Sequence, residues 1–314
     1  MVNASVDKGL SIFTADNKWL SFDYPPLSHV QVNQLLITKN NQKWINIYRT
    51  EKTGIFVLND NNTIDNAADD QYAFSGRFVD QQGTDVGATA YLCLAEDQNG
   101  LVWVGTNNGP ISFSSADQVG RGQCNRVIAM DENGLNGYHL LEGQTITAIA
   151  VDGGNRKWMG TRDNGVFVVD QSDGVLTVEN FNTDNSSILS NNITAITIDG
   201  ETGEVYIATS QGLCSYRGEA IDGKPDFSTV YAYPNPVYPA RQSQVVVTGL
   251  MQRSTVKITD MAGNLIREGI SNGGQFTWNC ADSRGNTVKA GIYLVFVSNP
   301  DGSSGEVTKI MVIR

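Results

Sequence analysis

Short apolar runs alternate with polar turns along most of the chain. Runs such as "TITAIAV", "KWMGT" and "GVFVVD" carry β-branched and aromatic residues and are separated by clusters of Asp, Asn and Gly. Runs of this length, bounded by turn residues, predict short strands joined as hairpins. No stretch sustains the 3.6-residue period of an amphipathic helix over several turns. The pattern is therefore all-β.

The same pattern recurs in "NQLLITKNNQKWINIYRTEKTGIFVLND", "TAYLCLAEDQNGLVWVGTNNGPISFSS", "TITAIAVDGGNRKWMGTRDNGVFVVD" and "NITAITIDGETGEVYIATSQGLCSY". Each segment has a first strand ending at a polar turn, at Asn40, Asp97, Asp152 or Asp199. An aromatic residue then opens the second strand: Trp44, Trp103, Trp158 or Tyr206. A small residue and a threonine follow in three of them, as Gly105-Thr106, Gly160-Thr161 and Ala208-Thr209. A turn with Gly54, Gly109, Gly165 or Gly212 starts the third strand. The aromatic positions advance by 59, 55 and 48 residues, near the roughly 40–50 residues of a propeller blade with insertions. A unit of three or four antiparallel strands cannot bury both of its faces, so such units stack around an axis. The aromatic is expected in the wedge between neighbouring blades. The recurring Asp is expected to cap its own turn. The stretch "DKGLSIFTADNKWLSFDYPP" has the look of the third and fourth strands of an earlier blade. The expectation is that the chain begins inside a blade and forms the C-terminal portion of a longer protein.

The pattern D-x-x-G-x-x-W-x-G-T-x-x-G resembles the two-component-regulator propeller repeat. Asp97, Gly100, Trp103, Gly105, Thr106 and Gly109 match it most fully, and Asp152, Trp158, Gly160, Thr161 and Gly165 follow. The resemblance covers roughly residues 1–225 and implies a β-propeller, truncated at its N-terminus. It implies no single activity, because such propellers serve sensors, secreted enzymes and scaffolds alike.

Composition shifts near residue 220. The segment "AIDGKPDFSTVYAYPNPVYPARQ" holds four of the eight prolines, which favour extended linker conformations. Beyond it lie six or seven alternating runs with turns at Ala262-Gly263-Asn264 and Arg284-Gly285-Asn286. They predict a small Ig-like β-sandwich over residues 230–314. This part resembles the C-terminal sorting domain of the type IX secretion system of Bacteroidetes. The resemblance rests on Tyr233, Pro234, Asn235, Pro236 and Val237, on Gly263, Trp278, Gly285, Gly291 and Tyr293, and on the run from Lys309 to Arg314. It departs at Asn279-Cys280-Ala281, where the family has a glycine-containing turn. By resemblance, the last strand is part of what the secretion machinery recognises. In that strand Ile310 and Val312 should face one side, and Met311 and Ile313 the other.

A net charge of −11 and a pI near 4.6 argue against nucleic acid and against docking on anionic lipid through a basic patch. No apolar run reaches the roughly 20 residues of a membrane-spanning helix, and the N-terminus lacks the pattern of a signal peptide. The localisation expected is secreted or at the outer-membrane surface, with the signal peptide not in this chain. The four cysteines show no CxxC spacing; a small buried hydrophobe is the favoured role, and a disulfide cannot be assigned from spacing. There are two histidines, His29 and His139, and no HExxH, GxSxG or P-loop. No catalytic residue, metal site or cofactor is expected.

Two inserted loops, within residues 59–87 and 116–143, are long for blade connections, and long loops on rigid scaffolds often carry binding sites. Tyr72, Arg77, Arg121, Arg126, Tyr138, His139 and Arg162 are the candidate binding residues, offering aromatic and cationic contacts. The alternative for Tyr72 and Phe74 is a fourth strand packed inside its blade. The resemblances together imply a non-enzymatic cell-surface binding or scaffold protein. Its partners would be secretion-system proteins or a surface glycan such as anionic lipopolysaccharide. Two other readings stay open: a secreted cargo enzyme acting on polysaccharide, and a periplasmic sensor segment of a hybrid two-component regulator.

Overall fold

The computed structural model describes residues 7–48, 52–63, 65–130, 133, 137–171, 175–241 and 244–313. Arg314, named above with the last strand, lies outside the described residues. The chain is almost entirely strand, in small antiparallel sheets. Strands β1 (Leu10–Phe13) and β2 (Trp19–Phe22) pair as a hairpin. Strands β3 (Val32–Ile37), β4 (Lys43–Ile47), β5 (Gly54–Asn59) and β6 (Gln71–Ser75) form a four-stranded meander. Strands β7 (Tyr91–Glu96), β8 (Val102–Thr106) and β9 (Gly109–Phe113) form a three-stranded one, followed by a single helical turn α1 (Ala116–Gly120). Strands β10 (Ile128–Met130) and β11 (Gly137–His139) make a separate hairpin. Strands β12 (Ile146–Val151), β13 (Lys157–Thr161), β14 (Val166–Asp170) and β15 (Thr177–Phe181) repeat the four-stranded meander. Strands β16 (Ile193–Ile198), β17 (Glu204–Thr209) and β18 (Gly212–Arg217) form a further three-stranded sheet.

The chain divides into two compact units. The first holds Met1–Val151, Lys157–Ile196 and Ile207–Cys214; the second holds Asp152–Arg156, Thr197–Tyr206 and Ser215–Arg314.

The recurring sequence motif has a local cause at every position. Asp97 Oδ1 accepts the N–H groups of Asn99 (2.9 Å) and Leu101 (3.0 Å). Gly100 stands between them at φ +81°, the left-handed residue that closes a three-residue hairpin loop. Asp152 holds Gly154 and Arg156 in the same way, both at 2.9 Å. The threonine closes the next turn. Thr106 Oγ1 donates to the Gly109 carbonyl at 2.7 Å and accepts from the Asn108 N–H at 2.9 Å. Thr161 and Gly165 repeat this bond at 2.8 Å, and Thr209 and Gly212 at 2.9 Å.

The small residue before the threonine is a packing requirement in the first unit. A methyl group added to Gly105 would come within 2.9 Å of Ile146 Cγ2 on β12. One added to Gly160 would come within 2.5 Å of Ile193 Cγ2 on β16. In the β3–β6 sheet Asn46 stands at this position and bonds instead of merely fitting. Its Nδ2 donates to the Tyr91 carbonyl at 2.9 Å. Trp44 packs among Tyr91, Leu94 and Phe113, and Trp103 among Ile146, Ile149 and Met159, each in the wedge between successive sheets. Tyr206 differs from these tryptophans: it is 39% exposed.

The second unit contains β19 (Tyr231–Tyr233), β20 (Val245–Thr248), β21 (Thr255–Asp260), β22 (Leu265–Ile270), β23 (Gln275–Trp278), β24 (Gly291–Ser298) and β25 (Gly305–Val312). They form two sheets, ordered β19-β20-β23 and β22-β21-β24-β25. Val245 and Val247 from one sheet share a core with Val256, Ile258, Val295 and Ile310 from the other. Ile310 and Val312 point into this core and Met311 outward, as the alternation requires.

Candidate functional site

Charge is rarely buried without a partner, and the buried Lys43 and Lys157 each have one. Lys157 Nζ lies 3.1 Å from Asp97 Oδ2, and both side chains are essentially inaccessible to solvent. The Trp103 indole donates to the same carboxylate oxygen at 3.1 Å, and the lysine sits 5.4 Å from the Trp103 ring centre. One carboxylate thus joins a turn, its own tryptophan and the next sheet. Lys43 Nζ meets Asp60 Oδ2 at 2.5 Å, again buried. Sequence reading missed both lysines. The available signal was their equivalent place, directly before Trp44 and Trp158.

The two inserted loops come together in the first unit. The Val79 N–H donates to the Gly122 carbonyl and the Cys124 N–H to the Val79 carbonyl, both at 2.9 Å. The Gln81 amide brackets Arg126, accepting its N–H at 2.9 Å and donating to its carbonyl at 2.8 Å. Asp80 Oδ1 accepts the N–H groups of Gln82 and Thr84, each at 2.9 Å. Its other oxygen, Oδ2, is buried without a hydrogen-bond partner and faces His139 Nε2 at 3.6 Å. His139 Nδ1 is likewise buried without a partner. The buried Arg126 guanidinium reaches Glu142 Oε1 at 3.1 Å.

This cluster has the residue types of acid–base catalysis but not the geometry. Burial pushes the Cys124 thiol up to about 12, with Asp80 adding to the shift and Arg126 opposing it. A protonated thiol is a poor nucleophile. His139 Nε2 faces the Asp80 carboxylate at 3.6 Å and Nδ1 has no hydrogen-bond partner, so among the described residues no nucleophile–histidine–acid chain of bonds is formed. Burial also pushes the Cys93 thiol up to about 12. All four cysteines are free thiols. Among the described residues, no three His, Cys, Asp or Glu side chains converge as a metal site would need.

The structure gathers some of the candidate residues and separates others. Arg126 and His139 lie in the cluster, with Arg126 buried. Arg77 and Arg121 are exposed on the paired loop backbones beside it. Tyr138, on β11, is 53% exposed. Tyr72 lies elsewhere, on the fourth strand β6, where it contacts Tyr24 and Phe56 with ring centres 5.6 Å away in each case. Tyr24 donates its hydroxyl to Asp70, and burial with that hydrogen bond raises its phenol well above the usual range. Arg162 is exposed at the turn from β13 to β14, its N–H donating to the Thr145 carbonyl at 3.0 Å.

The residues singled out near the C-terminus have definite roles in the second unit. Asn235 Nδ2 donates to the Lys309 carbonyl at 2.8 Å, and its Oδ1 accepts the Met311 N–H at 2.9 Å. The Val237 N–H donates to the Met311 carbonyl, and Val237 accepts from the Ile313 N–H, both at 2.9 Å. Tyr233, Pro234, Asn235 and Pro236 thus lead the chain along the outer edge of β25. Trp278 donates to the Ala281 carbonyl at 2.8 Å and meets Tyr293 edge-on at 5.4 Å. Gly263, at φ +84°, closes the turn that Asp260 caps, while Gly291 opens β24 and Lys309 lies exposed on β25. Cys280 takes φ +54°, the left-handed conformation for which a glycine would be the ordinary choice.

The family model for the two component regulator propeller matches residues 86–108, the stretch that carries Asp97, Trp103, Gly105 and Thr106. No curated protein matches the sequence. Among solved structures, the chain is similar to PorZ, described as an essential bacterial surface component of the type-IX secretion system of human oral-microbiomic Porphyromonas gingivalis. Identity is 29% and the TM-score 0.66; the match covers 100% of this chain and 43% of PorZ. The chain therefore spans less than half the length of that relative. It also matches the extracellular domain of BT4673 from B. thetaiotaomicron, described there as a one component system, at 14% identity and a TM-score of 0.41. That match covers 96% of this chain and 40% of the other. The extracellular domain of the hybrid two component system BT3049 from the same organism matches at 13% identity and a TM-score of 0.35, covering 98% and 48%.

Proposed function

We propose that the chain serves as a non-enzymatic surface component of a type IX secretion system. Its sheets of residues 1–225 act as a binding scaffold for sibling components or anionic surface polysaccharide. Its residues 230–314 act as the sorting module that brings it to the cell surface. The observation that carries this reading is the similarity to PorZ, which runs through both units of the chain at 29% identity. The buried Cys124 thiol beside the Asp80–His139 cluster supports the non-enzymatic part, because burial keeps it protonated and so a poor nucleophile.

The test is genetic and chemical. Deleting the gene in its source cells should leave proteins with type IX sorting modules in the periplasm, and the native protein should be shaved from intact cells by protease. Its intact mass should include residues 230–314. Normal export in the deletion strain would sink the reading. Loss of residues 230–314 from the surface form would make the protein exported cargo, and turnover of a polysaccharide panel by the full-length protein would make it an enzyme.

A further inference from the structure

A small cleft opens in the first unit where the β3–β6 sheet meets the β7–β9 sheet. Its volume is about 100 Å³. That is well below the roughly 300–1,000 Å³ of pockets that enclose a drug-sized ligand, yet ample against the roughly 10–15 Å³ that one water needs. It suits a single side chain. Trp44, Val102 and Phe113 form its apolar wall. Around them stand Thr38, Asn40, Gln42, Ser114 and Ser115. Thr38 donates to Asn40 Oδ1 at 2.5 Å, Trp44 Nε1 to Gln42 Oε1 at 3.4 Å and Ser114 to Gln118 Oε1 at 3.1 Å, which leaves the Asn40 and Gln42 amide oxygens one further lone pair each. Among the described residues Glu96 is the one charged side chain lining it, and no lysine, arginine or histidine does.

The state of these groups points to a cation. Glu96 Oε2 accepts the backbone N–H of Lys39 at 2.8 Å. Among the described residues Glu96 has no ion pair, unlike Asp97 beside it, which is neutralised by Lys157. The Ser115 hydroxyl makes no capping bond to the helical turn it precedes. Apolar side chains lined with polar oxygens and one carboxylate outside any ion pair complement a primary ammonium group on a short methylene stem. The net charge of −11 favours approach by a cationic partner.

We propose that this cleft takes up a primary alkylammonium group, presented as a lysine side chain by a partner protein. The site is independent of the function proposed above: it can exist on an enzyme or on a scaffold. The full chain would be titrated with n-butylammonium, with n-butanol, and with a short lysine-containing peptide, at constant ionic strength. The Trp44 indole N–H and the Gly100 amide would be followed by NMR. Saturable shifts with n-butylammonium, on the order of millimolar, are expected, with no saturation by butanol. Glu96→Gln keeps an acceptor for the Lys39 N–H but removes the charge. It should weaken binding about tenfold, the worth of one charge-assisted hydrogen bond, while Glu179→Gln, at an exposed carboxylate on β15, leaves binding unchanged. The peptide should bind more tightly than n-butylammonium. Absence of saturable shifts with n-butylammonium, equal shifts with butanol, or indifference to Glu96→Gln would each overturn the site. A peptide that binds no better than the free amine would overturn the lysine assignment.

Discussion

The first unit and the second are built on the same three-residue hairpin turn, but they use its carboxylate differently. In both, an Asp Oδ1 gathers two backbone N–H groups: Asn99 and Leu101 at Asp97, Ala262 and Asn264 at Asp260. At Asp260 the second oxygen meets, among the described residues, the Asn264 amide alone, at 2.8 Å on the surface. At Asp97 it meets the Trp103 indole and the Lys157 ammonium, out of solvent. The tryptophans differ in step: Trp103 donates to a carboxylate, whereas Trp278 donates to the neutral Ala281 carbonyl. An exposed turn carboxylate shapes one hairpin. A buried one ties two sheets together, and its removal leaves a lysine stranded.

The largest expected effect follows from that stranded charge. Asp97→Ala should cost about 3–5 kcal/mol in urea unfolding, since breaking a buried pair leaves its partner uncompensated. Asp260→Ala should shift the unfolding midpoint far less; equal shifts would break the comparison. Gly105→Ala should come next, at about 1–3 kcal/mol of overpacking against Cys93 and Ile146. Its effect would appear as a lowered Tm with unchanged far-UV dichroism.

In the second unit, Asn235→Ala removes two hydrogen bonds to β25 and should cost about 1–2 kcal/mol. Hydrogen exchange would show faster exchange at Met311 and none of this at Ile258 in the centre of the sheet. The smallest effects concern the exposed turns. The Asn264 side chain and nearby N–H groups hold the Asp260 carboxyl below its usual 3.8, and the Asn286 N–H does the same for Asp282. A depressed folded-state value gives stability that is present above the unfolded value and lost as pH falls through the folded one. Asp260→Asn and Asp282→Asn should therefore be slightly less stable than the parent at pH 7. The gap should close as pH falls below 3.8. A gap that stays constant with pH would show that the charge contributes nothing.

The parts of the fold that were legible in the sequence are those enforced within a few residues. Asp97 to Gly100 is one turn, Thr106 to Gly109 is another, and each residue type is demanded by its own backbone. Trp44 and Trp103 were expected between sheets and are found there; the same expectation for Tyr206 meets an exposed side chain. The fourth strand carrying Tyr72 and Phe74 was legible as an alternative to a binding loop. The opposition of Asp80 and His139 was not legible. It arises from two insertions far apart in the chain, and only their packing brings the groups within 3.6 Å. Arg126 was read as a surface contact, but Gln81 and Glu142 draw it inside. A single sequence carries no signal for such long-range compensation.

The edge of the β22–β25 sheet is covered along β25. Asn235 and Val237 already occupy the backbone groups of β25 from Lys309 to Ile313. An open strand edge is a template that invites any passing chain to pair. Here the invitation is withdrawn: a receptor that adds a strand along that stretch must first peel away the proline-rich segment. Access to that stretch then requires breaking the hydrogen bonds that Asn235 and Val237 make to β25. The same closed edge keeps β25 from pairing with its counterpart in another copy along that stretch.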